Sequence, residues 1–155
     1  MKKYLSIMAL LVATQLVYGE EKKPLKFNPT NELEVLFAES STNTESRIQF
    51  WTQLMNADVF VLGDVGQGTN ATLNTWTSSK DEAAGVFTSF DKINEAMPKG
   101  TKYIKLKARV IFQSMKDENL SPIINPRFEH QIRLNVDDLE LLLKSEYSKV
   151  TGNIP

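Results

Sequence analysis

The sequence lacks cysteine altogether, and it has a single histidine, His130. Without a thiol the chain cannot form disulfides, thiolate metal sites or a cysteine nucleophile. A lipoprotein anchor is excluded as well, because it is attached to a cysteine at the cleavage site. A zinc or other transition-metal site usually needs several histidine or cysteine ligands, and this chain has one histidine and no cysteine. We therefore expect neither a metal nor another cofactor.

The chain also lacks an excess of charge of either sign. Eighteen basic and 19 acidic residues give a formal net charge of −1. Domains that bind nucleic acid by neutralising phosphates are usually strongly basic, so we expect no nucleic-acid partner. No block of consecutive like charges indicates a membrane-surface patch. With 155 residues, 41% of them hydrophobic, the chain is long enough for one domain with its own core.

The N-terminus has the pattern of a secretory signal peptide. In "MKKYLSIMALLVATQLVYGEEKK", Lys2 and Lys3 precede an uncharged run over residues 4–17, and Gly19 precedes the acidic Glu20. This arrangement predicts a Sec-type signal peptide over residues 1–19, cleaved after Gly19. The apolar run is shorter than the roughly 20 residues that span a bilayer, so we expect no integral membrane segment after cleavage. The predicted location is periplasmic or secreted.

The rest of the chain predicts one α/β (α+β) domain over residues 30–146. A charged, proline-bearing lead-in over residues 20–29 is expected to be flexible, and residues 147–155 form a tail. Apolar residues at helical spacing predict helices from Thr30, from Thr42 (a capping box with Glu45), after Ser89, over "ARVIFQSMKD" and after Asn135. Strands are predicted over "DVFVLGDV", residues 73–77, "AAGVFTSF", "KYIKLK", "LSPIINP" and "EHQIRL". Such interleaving predicts a mixed sheet flanked by helices.

The order of these segments resembles the N-terminal domain of the SseB family, named for enhanced serine sensitivity. The matching segments are "NELEVLFAES", "FWTQLMNADVFVLGD", "GVFTSFDKINEAM", "YIKLKARVIF" and "PIINPRFEHQIRLNVDDLELLL". The resemblance covers residues 31–144 and implies a mixed sheet flanked by helices, with no catalytic residues to carry over. The chain departs from the family at the Asn125-Pro126 corner, where bulky residues from Arg127 onward follow instead of small ones. A signal peptide is a second departure, because family members are typically cytoplasmic.

Enzymatic and ligand-binding alternatives have little support in the sequence. Residues 66–71 loosely match a dinucleotide-binding fingerprint, but the threonines and asparagines that follow favour a strand, so we interpret the glycines as a loop. A hydrolase would use His130 with Asp64 or Glu129, yet no G-x-S-x-G motif is present. A small-ligand protein would place the loop over residues 66–76 above a pocket.

The function expected from the sequence is non-catalytic protein binding in the bacterial cell envelope. Trp76 stands alone in a polar segment, as aromatic anchors at interfaces do. Arg127 and Phe128 follow the corner, and His130 lies in the strand predicted after it. We predict that these four residues contribute to binding a protein partner. An immunity protein or a secretion accessory protein would fit the predicted size and location.

Overall fold

A computed structural model describes residues 23–65, 71–77 and 81–145. The predicted signal peptide over residues 1–19 and the predicted tail over residues 147–155 lie outside the described residues. Residues 66–70, which make up the glycine fingerprint except for its last residue, lie outside them as well. No described helix is long and apolar enough to cross a membrane.

The predicted α/β (α+β) class with a mixed sheet is confirmed. The helices are α1 (Glu32–Glu39), α2 (Thr44–Leu54), α3 (Phe90–Ala96), α4 (Ala108–Asp117) and α5 (Val136–Lys144). The strands are β1 (Asp58–Val65), β2 (Ala71–Leu73), β3 (Thr75–Thr77), β4 (Glu82–Phe87), β5 (Tyr103–Lys107), β6 (Leu120–Ile124) and β7 (Ile132–Arg133).

The sheet is organised around β1 and β4. Antiparallel pairs join β1 to β5 on one side and to β4 on the other, and β6 lies parallel to β4 with β7 antiparallel beyond it. β2 pairs with the last residues of β1, whereas β3 pairs with the first residues of β4. β1 and β4 pair with each other over only part of their length, and the segment of β2 and β3 lies between them where they separate. Gly63 makes this approach possible, because a Cβ there would lie 2.3 Å from the Thr72 carbonyl oxygen.

Side-chain caps fix the starts of four helices. Asn31, Asn43, Ser89 and Asn135 each accept a hydrogen bond from a main-chain N–H in the first turn, at α1, α2, α3 and α5 respectively. The Ser89 and Asn135 caps were predicted, and Asn135 forms a full capping box with Asp138. The capping box predicted at Thr42 is wrong. Asn43 begins α2, and the Thr42 hydroxyl donates to the Glu39 carbonyl oxygen at the end of α1.

The core contains one face of the sheet and the buried sides of the helices. The registers place Val61, Val86, Ile104 and Ile124 on the same face, and all four are buried. A chain of aromatic contacts runs through the core and joins Phe128, Phe27, Phe37, Phe50 and Trp51, with centroid separations of 4.9–5.6 Å.

Two local expectations differ from the structure. The described part of the lead-in, residues 23–29, is held to the domain: Leu25 N–H donates to the Arg127 carbonyl oxygen, and Phe27 is buried in the core. The strand predicted over "EHQIRL" contains only Ile132 and Arg133, so His130 lies in a bend before it. The apolar side chain of Phe27 explains the first difference, because its burial fixes the segment around it.

Candidate functional site

The Asn125-Pro126 corner is the centre of a buried polar network. Asn125 is fully buried and has a positive φ of 52°, a backbone conformation that asparagine tolerates better than most residues. Its Oδ1 atom accepts a hydrogen bond from the Thr88 main-chain N–H at 3.1 Å, and its own N–H donates to the Val86 carbonyl oxygen at 2.8 Å. These two hydrogen bonds tie the end of β6 to the end of β4.

Glu34 and Lys92 form a fully buried ion pair within this network. The Lys92 Nζ atom lies 3.7 Å from the Glu34 Oε2 atom, and neither side chain has any exposed surface. Glu34 accepts hydrogen bonds from the hydroxyls of Thr88 and Thr30 at 2.7 and 2.9 Å. Burial raises the pKa of Glu34, but hydrogen bonds from Ser89, Thr88 and Thr30 outweigh that effect and leave the pKa below its ordinary value.

Lys92 connects the network to the lead-in and to the aromatic core. Its ammonium donates to the Asn28 carbonyl oxygen at 2.5 Å and to the Glu95 carboxylate at 3.1 Å. The same nitrogen lies 4.9 Å from the centroid of the Phe27 ring and 5.6 Å from that of Phe128, close enough for cation–π attraction. Among the described residues, no buried side-chain nitrogen or oxygen lacks a hydrogen-bond partner. The network therefore fixes the corner, the lead-in, α1 and α3 relative to one another. Its polar side chains form hydrogen bonds within the protein.

The four predicted binding residues occupy different environments. Phe128 is only 1% exposed and belongs to the core, so its ring offers no surface to a partner. Arg127 is exposed and has a positive φ of 74°, and its guanidinium donates to the Ala96 carbonyl oxygen at the end of α3. Trp76 is half-buried and packs over Gly85, where a Cβ would lie 2.8 Å from the tryptophan Cη2 atom. The large ring thus uses the space that the glycine leaves.

His130 makes a structural contact with the end of α1. Its Nε2 atom lies 2.8 Å from the Ala38 carbonyl oxygen, and the His130 and Phe37 rings form a T-shaped pair with their centroids 5.9 Å apart. A carbonyl oxygen only accepts, so Nε2 carries the hydrogen and donates it. Histidine in this position satisfies a carbonyl that the helix itself leaves without a partner.

The structure does not assemble the predicted hydrolase residues into one site. Asp64 pairs with Lys102 at 2.6 Å on the surface. Glu129 accepts a hydrogen bond from the main-chain N–H of Phe27, and the Nε2 atom of His130 is committed to α1. Each of the three side chains therefore has a different partner. In the described ranges, no three histidine or acidic residues are grouped closely enough to hold a metal ion.

A cleft of about 490 Å³ lies between α2 and α5. Trp51 and Leu142 line it, and Leu141 beside them is 69% exposed. Its volume is in the range of small-molecule sites. Of the loop over residues 66–76, the structure describes residues 71–76, and none of these lines the cleft.

The edge of the sheet at β5 combines open main-chain groups with exposed aromatic rings. Among the described residues, β5 pairs with β1 on one side and with no strand on the other. Tyr103 in β5 is 42% exposed, and its ring lies 5.2 Å from Phe90 in α3 and 5.7 Å from Phe60 in β1. Phe90 is also 42% exposed. The three rings form a surface group, the aromatic cluster, beside the open edge.

Exposed lysines lie in β5 and directly before it. Lys102, Lys105 and Lys107 are each at least 59% exposed at the side chain. The Lys105 ammonium lies 5.8 Å from the centroid of Phe60. We did not single out this strand from the sequence, although the alternation over residues 103–107 carries the signal: Ile104 and Leu106 face the core, whereas Tyr103, Lys105 and Lys107 face the other side.

The family model of the SseB protein N-terminal domain matches residues 32–141. Because the match covers most of the chain, the protein belongs to the SseB family, as the order of its sequence segments indicated. No curated protein and no solved structure matches the chain.

Proposed function

We propose that this SseB-family domain is a non-catalytic protein-interaction module of the bacterial cell envelope. One observation carries the proposal: within the part of the chain that the structure describes, the sheet ends at β5 in a regular edge, beside exposed aromatic rings. An exposed strand edge presents alternating N–H donors and C=O acceptors at the spacing of another polypeptide. Aromatic side chains are enriched among the residues that dominate binding energy at protein interfaces.

The envelope location is supported by the sequence of the first 19 residues. A basic start, an uncharged run and a small residue at the expected cleavage position are typical of exported proteins. Mass spectrometry of the protein isolated from cells tests this part of the proposal. A mature N-terminus at Glu20 is expected, and a chain that retains Lys2 and Lys3 in the cytoplasmic fraction would refute export.

The protein-binding role is tested by cross-linking in living cells. A photoreactive residue placed at Lys105 should yield a saturable adduct with an envelope protein. The same residue at Ile48, which is exposed in α2 well away in sequence, serves as the control and should not yield that adduct. If no exposed position gives a saturable adduct, the interaction role is wrong. The captured partner also tests the narrower roles: a toxin would indicate an immunity protein, and a component of a secretion apparatus would indicate an accessory protein.

A small-ligand-binding protein is the alternative, and the cleft between α2 and α5 favours it. A ligand that binds only the folded state raises the melting temperature. A screen of small molecules would support this alternative if a compound stabilised the protein and Trp51→Ala abolished that stabilisation. Stabilisation that survives Trp51→Ala would assign the ligand to another place.

A further inference from the structure

We propose that the outer edge of β5 binds an extended, acidic segment of the partner protein as an additional strand. The inference rests on the proposed function and names the chemistry of the partner at the same surface. It follows from three features: the direction of the main-chain groups, the excess of positive charge along the strand, and the position of the aromatic cluster.

The main-chain register shows which residues face the open edge. Gly63 N–H donates to the Lys102 carbonyl oxygen, and Ala108 N–H donates to the Ala57 carbonyl oxygen. In an antiparallel ladder, hydrogen-bonded pairs alternate with non-hydrogen-bonded ones. Ile104 and Leu106 therefore bond to β1, whereas Tyr103 and Lys105 direct both their N–H and their C=O groups outward. Lys107 directs its N–H outward, but its C=O is taken up by α4, because Lys107 is the N-cap of that helix. These three residues can bond an incoming strand without disturbing the sheet.

The strand lies in a strongly basic stretch of an otherwise neutral chain. Residues 99–109 include five basic residues and no acidic one, although the whole chain has a formal net charge of −1. Asp58 in β1 is shared between Lys107 at 3.1 Å and Lys105 at 3.9 Å, and Asp64 pairs with Lys102. The two aspartates cannot neutralise three lysines. Such exposed pairs are also weak, so carboxylates of a partner can compete for them.

The register also predicts the pattern of the partner segment. The side chains of Tyr103, Lys105 and Lys107 share one face of the sheet with Phe60, because Phe60 pairs with Lys105 across the strands. A residue of the partner opposite Tyr103 would meet the aromatic cluster, and residues opposite the two lysines would meet positive charge. The favoured partner therefore has one apolar residue and two acidic residues at alternate positions.

A second copy of this chain is a poor occupant of the edge. Pairing two β5 strands would bring two basic stretches together, and a two-fold axis centred on Lys105 would place this lysine opposite its own copy. Like charges directly opposite across a ladder are destabilising. Lysines on an edge strand also hinder pairing with uncharged strands. The same side chains that prevent self-association therefore select an acidic partner.

Selection from a displayed library of random peptides, with the full-length protein as bait, tests the inference. The expected result is enrichment of peptides in which two acidic residues and one apolar residue occupy alternate positions, so that all three side chains lie on the same face of the added strand. The double variant Lys105→Glu, Lys107→Glu should weaken a selected peptide about tenfold or more, since two attractive pairs become repulsive. A peptide in which lysine replaces the two acids should regain affinity for that variant.

A proline substitution separates strand addition from simple charge attraction. Lys105→Pro removes one outward N–H and leaves the hydrogen bonds between β5 and β1 in place. Lys105→Thr is the matched control, because it removes the same charge and keeps the N–H. If the selected peptide binds by strand addition, Lys105→Pro should reduce affinity well below that of Lys105→Thr while both variants keep a cooperative unfolding transition. Equal affinities would indicate attraction of an anionic polymer or lipid surface to the lysines and would overturn the inference.

The remaining outcomes also decide the question. Enriched peptides without acidic residues, or no enrichment at all, would overturn the inference and leave the lysines only the role of preventing self-association. A saturable cellular adduct that forms at other surfaces but not at Lys105 would refute the β5 site while the interaction role stands. The absence of any saturable adduct would refute both.

Discussion

The Lys92 ammonium lies 3.7 Å from the Glu34 carboxylate, and both side chains are fully buried. Removing two charges from water is costly, and the mutual attraction offsets this cost only when further hydrogen bonds satisfy both groups. That condition is met here, because Glu34 accepts from two threonine hydroxyls and Lys92 donates to the Asn28 carbonyl oxygen. The pair joins α1 to α3 and holds the lead-in against the corner.

Removing one partner of this pair should destabilise the fold strongly. Glu34→Gln leaves the Lys92 charge without its buried partner, and a loss of about 3–5 kcal/mol in the free energy of unfolding is expected. Glu95→Gln is the matched control, since Glu95 also contacts Lys92 but is 40% exposed, and it should cost less than about 1 kcal/mol. Urea unfolding measures both. Equal effects of the two substitutions would show that burial of Glu34 does not determine the loss.

The Glu34 carboxylate should also make stability depend on pH. Its pKa in the folded protein lies below the ordinary value of 4.5 that holds in the unfolded chain. The unfolded state therefore binds this proton at higher pH than the folded state does, and stability rises with pH between the two values. The contribution is fully present above about pH 4.5 and is lost as the pH falls through the lower folded-state pKa. As the pH falls through this range, the unfolding free energy of the wild type should approach that of Glu34→Gln. Two curves that stay parallel would contradict the prediction.

His130 should contribute to stability and not to activity or binding. His130→Ala removes the hydrogen bond to the Ala38 carbonyl oxygen and the contact with Phe37, so a loss of about 1–3 kcal/mol in unfolding free energy is expected. The in-cell adduct formed at Lys105 should be retained in this variant. An adduct lost in a folded His130→Ala protein would instead place the histidine in the binding site.

Gly85 should be intolerant of a side chain because of Trp76. In Gly85→Ala the new Cβ would lie 2.8 Å from the Trp76 ring and 3.1 Å from the Pro126 Cγ atom. A loss of about 1–3 kcal/mol in unfolding free energy is expected from such overpacking. Circular dichroism during urea unfolding measures it without relying on tryptophan emission. Trp76→Leu should reduce the additional cost of Gly85→Ala, and additive costs would show that the ring does not cause the clash.

Features determined by neighbouring residues were the ones that the sequence predicted well. The buried strand β1, the Ser89 cap and the Asn135 cap all follow from side chains close to one another along the chain. At α2 two adjacent polar residues could cap the helix, and the prediction chose Thr42 where Asn43 serves. Asparagine is the stronger N-cap residue of the two.

Features that depend on distant contacts were not predicted. Phe128 is the second residue after the corner and was predicted to bind a partner, but Phe27 from the lead-in packs against it. Glu34 and Lys92 were not recognised as buried, because their partners come from segments 54 and 64 residues away. A usable signal was the position of Glu34 three residues before the buried Phe37, on the same side of α1. The same limit applies to the β5 edge, since only the assembled sheet shows which strand lacks a neighbour.

Amide hydrogen exchange along β5 tests the central claim most directly, because it reads the main-chain groups themselves. In the free protein, the outward N–H groups of Tyr103, Lys105 and Lys107 should exchange quickly, whereas those of Ile104 and Leu106, bonded to β1, should exchange slowly. Adding the captured partner or a selected acidic peptide should slow exchange at the three outward positions and leave the two inward ones unchanged. Slow exchange at all five positions in the free protein, or outward amides that remain fast when the partner is bound, would contradict strand addition at this edge.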